Sequence, residues 1–570
     1  MTRTARPGGH GSGTLLRPVI YNRAAVRELG EELARKSLTV ASLVDRAAGK
    51  YGDKTLAIRE EKVTYKHLGY DHTTKALTFN QAYHSCNTVA AALRDRLGVK
   101  RGDRIAIVLT NVPEIGLLFT AAARIGAVTV PFNYMLKASE LQGAIADCGA
   151  KVLITEPELF ATNIRDKANV PAIEHWLMVG DAEEVPEGFM SIDDLTEGYA
   201  DTFVEPLAIE PDDPIAIFYT SGTTGFPKGA ILTSKNLLST ATLSVLMLRI
   251  GRKDIGVTGL PLAHIFGFTT SIIGAFYSGC GGVLLRFFDP EKTLKLVEEH
   301  RATVVTGVPA MWNMMLQCHP EKYDLSTIRY WISGADAMPR DQIKKLESYG
   351  GRFIEGYGLV ETSPIISVNS FIRRSGTVGL PVPGVRVKVM DEGGNKLRRG
   401  KVGEFVVRGP NVMKGYWGDE DRTAQAFEYG WFHTGDMGFR DRLGFLHFAD
   451  REKDVIKHGG YSVFSREVEE EILRNPKVFE VALVGAPHPT KGEVPVAFIQ
   501  LGDGQEASEE ELLAWCGDNI AAYKSPRRVC IIEQMPLTMT LKVMKRELRS
   551  RLEKEAASKG TDTLAPGKEE

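Results

Sequence analysis

YTSGTTGFPKGA, running from Tyr219 to Ala230, gathers three glycines, three threonines, a serine and a lysine with no acidic residue among them. Ahead of it, Pro214-Ile-Ala-Ile-Phe-Tyr is an apolar run of strand length. Beyond it, Lys235 to Leu248 has helical character, with Thr233 or Ser234 as its N-cap. The stretch therefore reads as a glycine-rich turn between a strand and a helix. Glycine lets a backbone approach an anion closely, hydroxyls and amides donate to phosphate oxygens, and Lys228 adds a positive charge. No acid lies between Asp213 and Asp254, so nothing local repels a phosphate. Thr220, Ser221, Gly222, Thr223, Thr224, Gly225 and Lys228 are the candidate ligands. The spacing is not that of Walker A, because Pro227, Lys228 and Gly229 stand where that motif needs Gly-Lys-Ser. A flexible surface loop would share this composition, so the rest of the chain decides.

Outward from the loop, elements alternate. Arg104-Ile-Ala-Ile-Val-Leu reads as a strand, Glu114 to Ile125 as a helix, Ala127-Val-Thr-Val as a strand, Ser139 to Asp147 as a helix and Lys151-Val-Leu-Ile as a strand. This βαβαβ order calls for a parallel sheet covered by helices. It resumes with helices at Glu291 to His300 and Asp341 to Tyr349, each followed by a short strand. From Val385 to Arg408 the chain turns strand-rich, with DEGGN as a hairpin turn, and Arg440 to Phe448 repeats the style. The charged run Asp450-Arg-Glu-Lys-Asp then leads into a smaller α+β region, with helices near Glu467 to Arg474 and Glu509 to Cys516. The expected fold is α/β: a large N-terminal domain of helix-covered sheets with a β-rich subdomain, and a small mobile α+β C-terminal domain. The expected limits are a disordered tail over 1–24, a large domain over 25–450, a small domain over 451–555 and a second tail over 556–570.

The 570 residues are 43% hydrophobic and 25% charged, an ordinary globular composition long enough for more than one domain. A formal net charge of -2 and a pI near 6.7 give no reason to expect nucleic acid as a partner. The six cysteines form no CxxC pair and read as buried thiols in a reducing compartment, the cytoplasm or else the mitochondrial matrix. Ile255 to Leu285 carries no charge, yet Pro261, His264 and repeated glycines and hydroxyls make it a buried wall rather than a membrane span. Peripheral contact with a membrane stays open, as does oligomeric state. The N-terminus has no apolar signal core, although its arginines and lack of acids before Glu28 leave a transit peptide as the alternative to a plain tail.

Three further stretches carry chemistry. In EGYGLVETSP, from Glu355 to Pro364, Tyr357 sits between Gly356 and Gly358, where its ring can lie against a flat base, and Glu361 can ligate a magnesium ion that bridges phosphates. In GWFHTGDMG, Asp436 suits a ribose, since one carboxylate can accept two parallel hydrogen bonds. In DREKDVIKHGGYSV, Gly459 and Gly460 permit close backbone approach, and Arg451, Lys453 and Lys457 crowd the domain boundary. Each stretch alone is equally a turn or a solvated linker.

Together, and in this order, they resemble the adenylate-forming superfamily of acyl and aryl CoA ligases, adenylation domains and beetle luciferases. The resemblance runs from about Leu38 to Arg549, and RGDRIAIVLTN, LPLAHIFGF, TGVPAMW, ISGADAMP, GTVGLPVPG and PLTMTLKVMKRELR extend it. It implies that Thr220 to Lys228 cradle the triphosphate, that Tyr357 stacks on adenine beside Glu355 and Gly356, and that Glu361 holds Mg2+. It further implies that Asp436 and Arg451 bind ribose, that His264 lines the acyl site, and that Lys453 is the hinge. Lys457, Gly459 and Gly460 would border the pantetheine channel, and Lys542 would bridge carboxylate and α-phosphate. ATP, Mg2+ and CoA are the implied cofactors, with a small carboxylic acid as the other substrate.

Four positions depart from the family pattern: Val360 for a usual threonine, Leu541 for the glycine before Lys542, Ser465 for a common proline and Ser234 for a common histidine. Losing one hydrogen bond to a charged group costs about 1.5 to 3 kcal/mol, which slows catalysis without abolishing it. The expected activity is therefore an AMP-forming acyl-CoA ligase. The uncharged stretch after His264 favours a medium- or long-chain fatty acid. An aryl acid such as a cinnamate is the alternative substrate, and a non-catalytic acyl-adenylate-binding paralogue the alternative function.

Overall fold

The computed structural model describes residues 38–63, 66–68, 74–180, 185–200, 202–220, 227–336, 338–370, 372–537 and 543–559. Both expected tails lie largely outside this range, as do Ser221 to Gly225, Leu541 and Lys542.

The βαβαβ reading becomes an eight-stranded sheet. Its central strand Arg104–Leu109 runs parallel to Val128–Asn133 on one side and Val152–Thr155 on the other. Alternate residues of a strand face opposite ways, and the core divides accordingly. Ile105, Ile107 and Leu109 pack with helix Glu114–Arg124, while Ala106 and Val108 pack with Leu141, Ala144 and Ile145 of helix Ala138–Cys148. Every residue of Glu114–Arg124 is buried, because helices Val40–Tyr51 and Phe79–Asp95 pack against its outer side. Even Arg124 is fully buried; its guanidinium donates to Ala41 O, Val204 O and the Asp45 carboxylate.

That second sheet has nine strands. Six of them run parallel: Thr55–Val63, Gly281–Leu284, Ile255–Thr258, Val304–Gly307, Tyr330–Ser333 and Arg352–Tyr357. The uncharged stretch from Ile255 to Leu285 supplies two of these strands and the short helices between them. Among the described residues, no helix is long and apolar enough to cross a membrane.

An antiparallel four-stranded sheet, Arg386–Met390, Gly403–Arg408, Phe432–Arg440 and Leu446–Arg451, forms the β-rich subdomain. After Arg451 a turn, Glu452–Asp454, leads to a five-stranded sheet and three helices. Their two apolar cores draw only on residues from Ile456 onward. The last helix, Lys545–Lys559, runs past the expected limit at 555, held there by pairs such as Arg528 with Glu555, 3.0 Å apart.

One local expectation is corrected. The glycine-rich loop joins two antiparallel strands, Pro214–Thr220 and Lys228–Thr233, and helix Ser234–Leu248 begins only after the second. Gly229-Ala-Ile-Leu-Thr is a short strand pressed against its neighbour: a Cβ on Gly229 would lie 2.8 Å from the Ile217 side chain. Thr233 is the N-cap, its hydroxyl accepting from Asn236 N.

Candidate active site

The hairpin sets Thr220 directly across from Lys228, so the described ends of the glycine-rich loop close on one polar pair. Gly415–Tyr416 adds to the same sheet edge, opposite Ile231 and Ala230, which brings the Tyr416 ring to 5.4 Å from Lys228 Nζ. The Tyr416 hydroxyl donates to Glu361 Oε1 at 3.0 Å. Burial, then the Glu361 charge, push the Tyr416 phenol well above its ordinary range, so it stays protonated and keeps donating.

Glu361 itself sits in the tight turn Val360–Thr362, fixed by Leu359 N donating to Thr362 Oγ1 at 2.9 Å and by Asn411 Nδ2 donating to Ile365 O at 2.7 Å. The chain around it folds so closely that a Cβ on Gly358 would lie 1.8 Å from Pro364 O, which only glycine permits. One carboxylate near Lys228 and Tyr416 is a donor that suits Mg2+, whose shell can be completed by substrate phosphates and water.

A second cluster of the predicted site residues is built from two other strands. Asp436 and Arg451 face each other across the pair Phe432–Arg440 and Leu446–Arg451, with Arg451 Nε 3.7 Å from Asp436 Oδ1. Asp436 is only 3% exposed, and its Oδ2 accepts from the Tyr357 hydroxyl at 2.6 Å. Thr434 supports the turn, accepting from Asp436 N and donating to Phe405 O. Tyr357 lies between the rings of Phe405 and Phe448, each centroid 6.2 Å away. Burial, then Asp436, raise its phenol far above the usual value, which keeps the hydroxyl a donor. Glu355, on the same strand, accepts from Met338 N and Asn369 Nδ2, and burial raises its carboxyl above the ordinary range.

His264 caps the short helix Ile265–Phe268, its Nδ1 accepting from Phe266 N at 3.3 Å. It lines a cleft of about 3710 Å³ together with Thr220, Lys228, Tyr357, Glu361, Asp436 and Arg451. Among the described residues, the part of the cleft wall drawn from residues 239–288 contains no Asp, Glu, Lys or Arg.

The chain after the turn at Lys453 reaches the same cleft. Lys453 lines it, its ammonium pushed below the ordinary lysine value by burial and then by Arg451. Met535 to Leu537 and Val543 to Lys545 line it on either side of the undescribed 538–542. The other predicted group is not brought in. Gly459 and Gly460, at φ +56° and +85°, form the two-residue turn between Ile456–His458 and Tyr461–Val463, away from the cleft wall. Lys457 is exposed there and bonds Ser462 Oγ. Sequence reasoning missed Tyr416, because no local pattern announces a partner 55 residues away, and it passed over Thr434, although the motif GWFHTGDMG contains it.

Comparison with known proteins identifies the family. A family model described as AMP-binding enzyme matches residues 44–417, and one described as AMP-binding enzyme C-terminal domain matches residues 467–542. The chain is 32% identical over 554 residues to a long-chain-fatty-acid–CoA ligase of Bacillus subtilis (strain 168), covering 91% of this chain and 96% of that protein. It is 34% identical over 499 residues to a feruloyl-CoA synthase of Amycolatopsis sp, covering 87% and 98%. Its fold resembles that of the anthranilate CoA ligase AuaEII in complex with anthranoyl-AMP, with a TM-score of 0.81 at 28% identity over 91% of this chain and 98% of that one.

Proposed function

The chain belongs to the AMP-binding enzymes and is an adenylate-forming CoA ligase, and from that premise we propose that it activates a medium- or long-chain fatty acid as the acyl adenylate and passes the acyl group to CoA. The observation that carries the choice of acid is the uncharged cleft wall beyond His264, which accepts an alkyl chain and offers no cation for a second carboxylate.

A carboxylate is a poor electrophile. In the first step its oxygen attacks the α-phosphorus of ATP and pyrophosphate leaves. In the second the CoA thiol attacks the acyl carbonyl and AMP leaves. In this reading Thr220, Ser221, Gly222, Thr223, Thr224, Gly225 and Lys228 hold the departing phosphates, where fixed donors and a cation stabilise charge as it builds. Glu361, oriented by Tyr416, would hold Mg2+, which neutralises phosphate charge when bound. Glu355, Gly356 and Tyr357 border the base, Asp436 and Arg451 take the ribose, and His264 stands at the entry to the acyl wall. Lys542 neutralises the reacting carboxylate and α-phosphate. We take residues 25–450 and 451–555 as two bodies hinged near Lys453, so that rotation removes Lys542 and brings in Lys457, Gly459 and Gly460 for the thiol. The six free thiols suit a reducing compartment, the cytoplasm or the mitochondrial matrix.

An aryl acid is the second reading, favoured by the 34% identity to a feruloyl-CoA synthase. One assay separates the readings. With ATP, Mg2+, CoA and dodecanoate or palmitate, the protein is expected to release AMP and pyrophosphate in equal amounts and to form the acyl thioester. Turnover of ferulate in preference to both would move the assignment to aryl acids. Release of ADP and orthophosphate would overturn the ligase mechanism, and no turnover of any acid would favour a non-catalytic adenylate binder.

A further inference from the structure

We propose that Ser465 and Lys545 are positioning residues that latch the C-terminal body to Asp450 across the turn at Lys453, and so hold residues 535–537 and 543–545 at the cleft for adenylate formation. The inference rests on the two-step reading above. Asp450 precedes the turn Glu452–Asp454, whereas Ser465, Glu469 and Lys545 all follow it.

Asp450 is 4% exposed and Ser465 fully buried. Asp450 Oδ2 accepts from Ser465 N at 2.5 Å and from Ser465 Oγ at 2.7 Å, while Oδ1 accepts from Arg451 N. Ser465 opens helix Ser465–Ile472, whose first N–H groups have no partner within the helix, so a carboxylate from outside satisfies both the bare amide and the helix dipole. The hydroxyl then serves twice. An ammonium can only donate, so Lys545 Nζ, 2.5 Å from Ser465 Oγ, must give its proton to that oxygen, and the hydroxyl hydrogen is left for Asp450. Lys545 Nζ also lies 2.7 Å from Glu469 Oε1, which accepts in turn from Leu483 N.

Lys545 is the first residue of helix Lys545–Lys559 and stands three residues beyond Lys542. One turn further on, Arg549 Nη2 donates to Asp454 Oδ1 at 2.8 Å and to Lys453 O at 3.1 Å. The start of this helix is therefore tied to the turn and to the helix that Asp450 caps. Arg466, its guanidinium 5.2 Å from the Phe448 ring centroid, adds a second contact across the turn. Of the polar links in this network, those to Asp450 join the two sides of the turn, so the orientation that presents residues 535–537 and 543–545 to the cleft depends on them.

Ser465→Ala keeps the amide bond to Asp450 but leaves both Asp450 and Lys545 short of a partner. Ser465→Pro, acceptable at the first helical position, removes the amide and hydroxyl donors together. Loss of one hydrogen bond to a buried charge shifts an equilibrium by about tenfold to a hundredfold. The test measures distances between spin labels placed one on each side of Lys453, together with the two half-reactions separately. Ser465→Ala should reduce the population at the parental distance, slow adenylation from acid and ATP by about tenfold, and leave conversion of a prepared acyl adenylate with CoA at least as fast. Ser465→Pro should shift further, Ser465→Thr should restore both readouts, and Lys545→Met should reproduce the alanine result. An unchanged distance distribution in Ser465→Ala, or equal slowing of both half-reactions in a stably folded variant, would overturn the latch. If the parent makes no thioester but the distances still shift, the latch stands and the assigned reaction falls.

Discussion

The Tyr357–Asp436–Arg451 end of the cleft and the Gly459–Gly460 turn are built in opposite ways. At the first, Asp436 is buried, already accepts from Tyr357 and faces Arg451 across a sheet. At the second, a Cβ placed on either glycine would meet nothing within 4 Å, and the neighbouring Lys457, anchored through its backbone N to Glu493 Oε2, leaves its exposed ammonium on Ser462 Oγ. One end is organised by packing before any ligand arrives, and the other is open surface. The contrast fits a two-step enzyme. A group used in both steps can be fixed once, but a group used only in the second must be held elsewhere during the first. The largest expected effect sharpens that comparison. Lys542→Ala should slow adenylation about 10²-fold to 10³-fold, the usual cost of removing one preorganised charge or donor. It should still convert a prepared acyl adenylate and CoA to thioester at close to the parental rate. Equal losses in rapid-quench measurements of both half-reactions would erase the distinction between the two ends.

The bare turn allows the reciprocal test, with a smaller effect. Gly460 has φ +85°, a conformation that strains a β-branched residue by about 1 to 3 kcal/mol, yet a Cβ there would meet no neighbour within 4 Å. Gly460→Val should therefore leave adenylation unchanged and slow thioester formation about tenfold, with KM for CoA raised. A loss confined to adenylation, measured by pyrophosphate release, would mean that this turn serves the first step.

How much of this was legible in the sequence depends on how far apart the deciding atoms lie. Strand Arg104–Leu109 and helix Glu114–Arg124 were readable because period and length are local properties, and the structure keeps them almost to the residue. The strand after the glycine-rich loop was not, because Lys228-Gly-Ala-Ile-Leu-Thr gains its extended form from pairing with Pro214–Thr220 rather than from its own composition. The candidate residues Tyr357 and Asp436 could be named from glycine-flanked motifs and Arg451 from the charged run that begins at Asp450, and the fold brings them together. The link from Tyr416 to Glu361 could not, since it arises from a strand joining a sheet edge. Nor could the network at Ser465, where Asp450, Glu469 and Lys545 converge from three separate elements. At that position the sequence showed only a departure from the family pattern.

The smallest expected effect tests the organised end from within. Val360 opens the turn that carries Glu361, is half-buried and lines the cleft. The family resemblance places a threonine there, whose hydroxyl would reach the α-phosphate. Val360→Thr exchanges a methyl for a hydroxyl of nearly the same size, so the turn held by Leu359, Thr362 and Asn411 has no reason to move. Valine for threonine is not neutral in a closed core, because a buried hydroxyl needs a partner. Here the cleft offers water before ATP binds and a phosphate oxygen afterwards. The added bond to a charged acceptor can contribute about 1.5 to 3 kcal/mol, but only the fraction gained between ground and transition states appears as rate. Adenylation should therefore rise by no more than about tenfold, with the thermal midpoint unchanged and thioester formation from prepared adenylate unaffected. A tenfold fall in a protein of parental stability would show that Val360 packs against the substrate instead of standing where a phosphate passes, and the preorganised end would then begin at Glu361 and not before it.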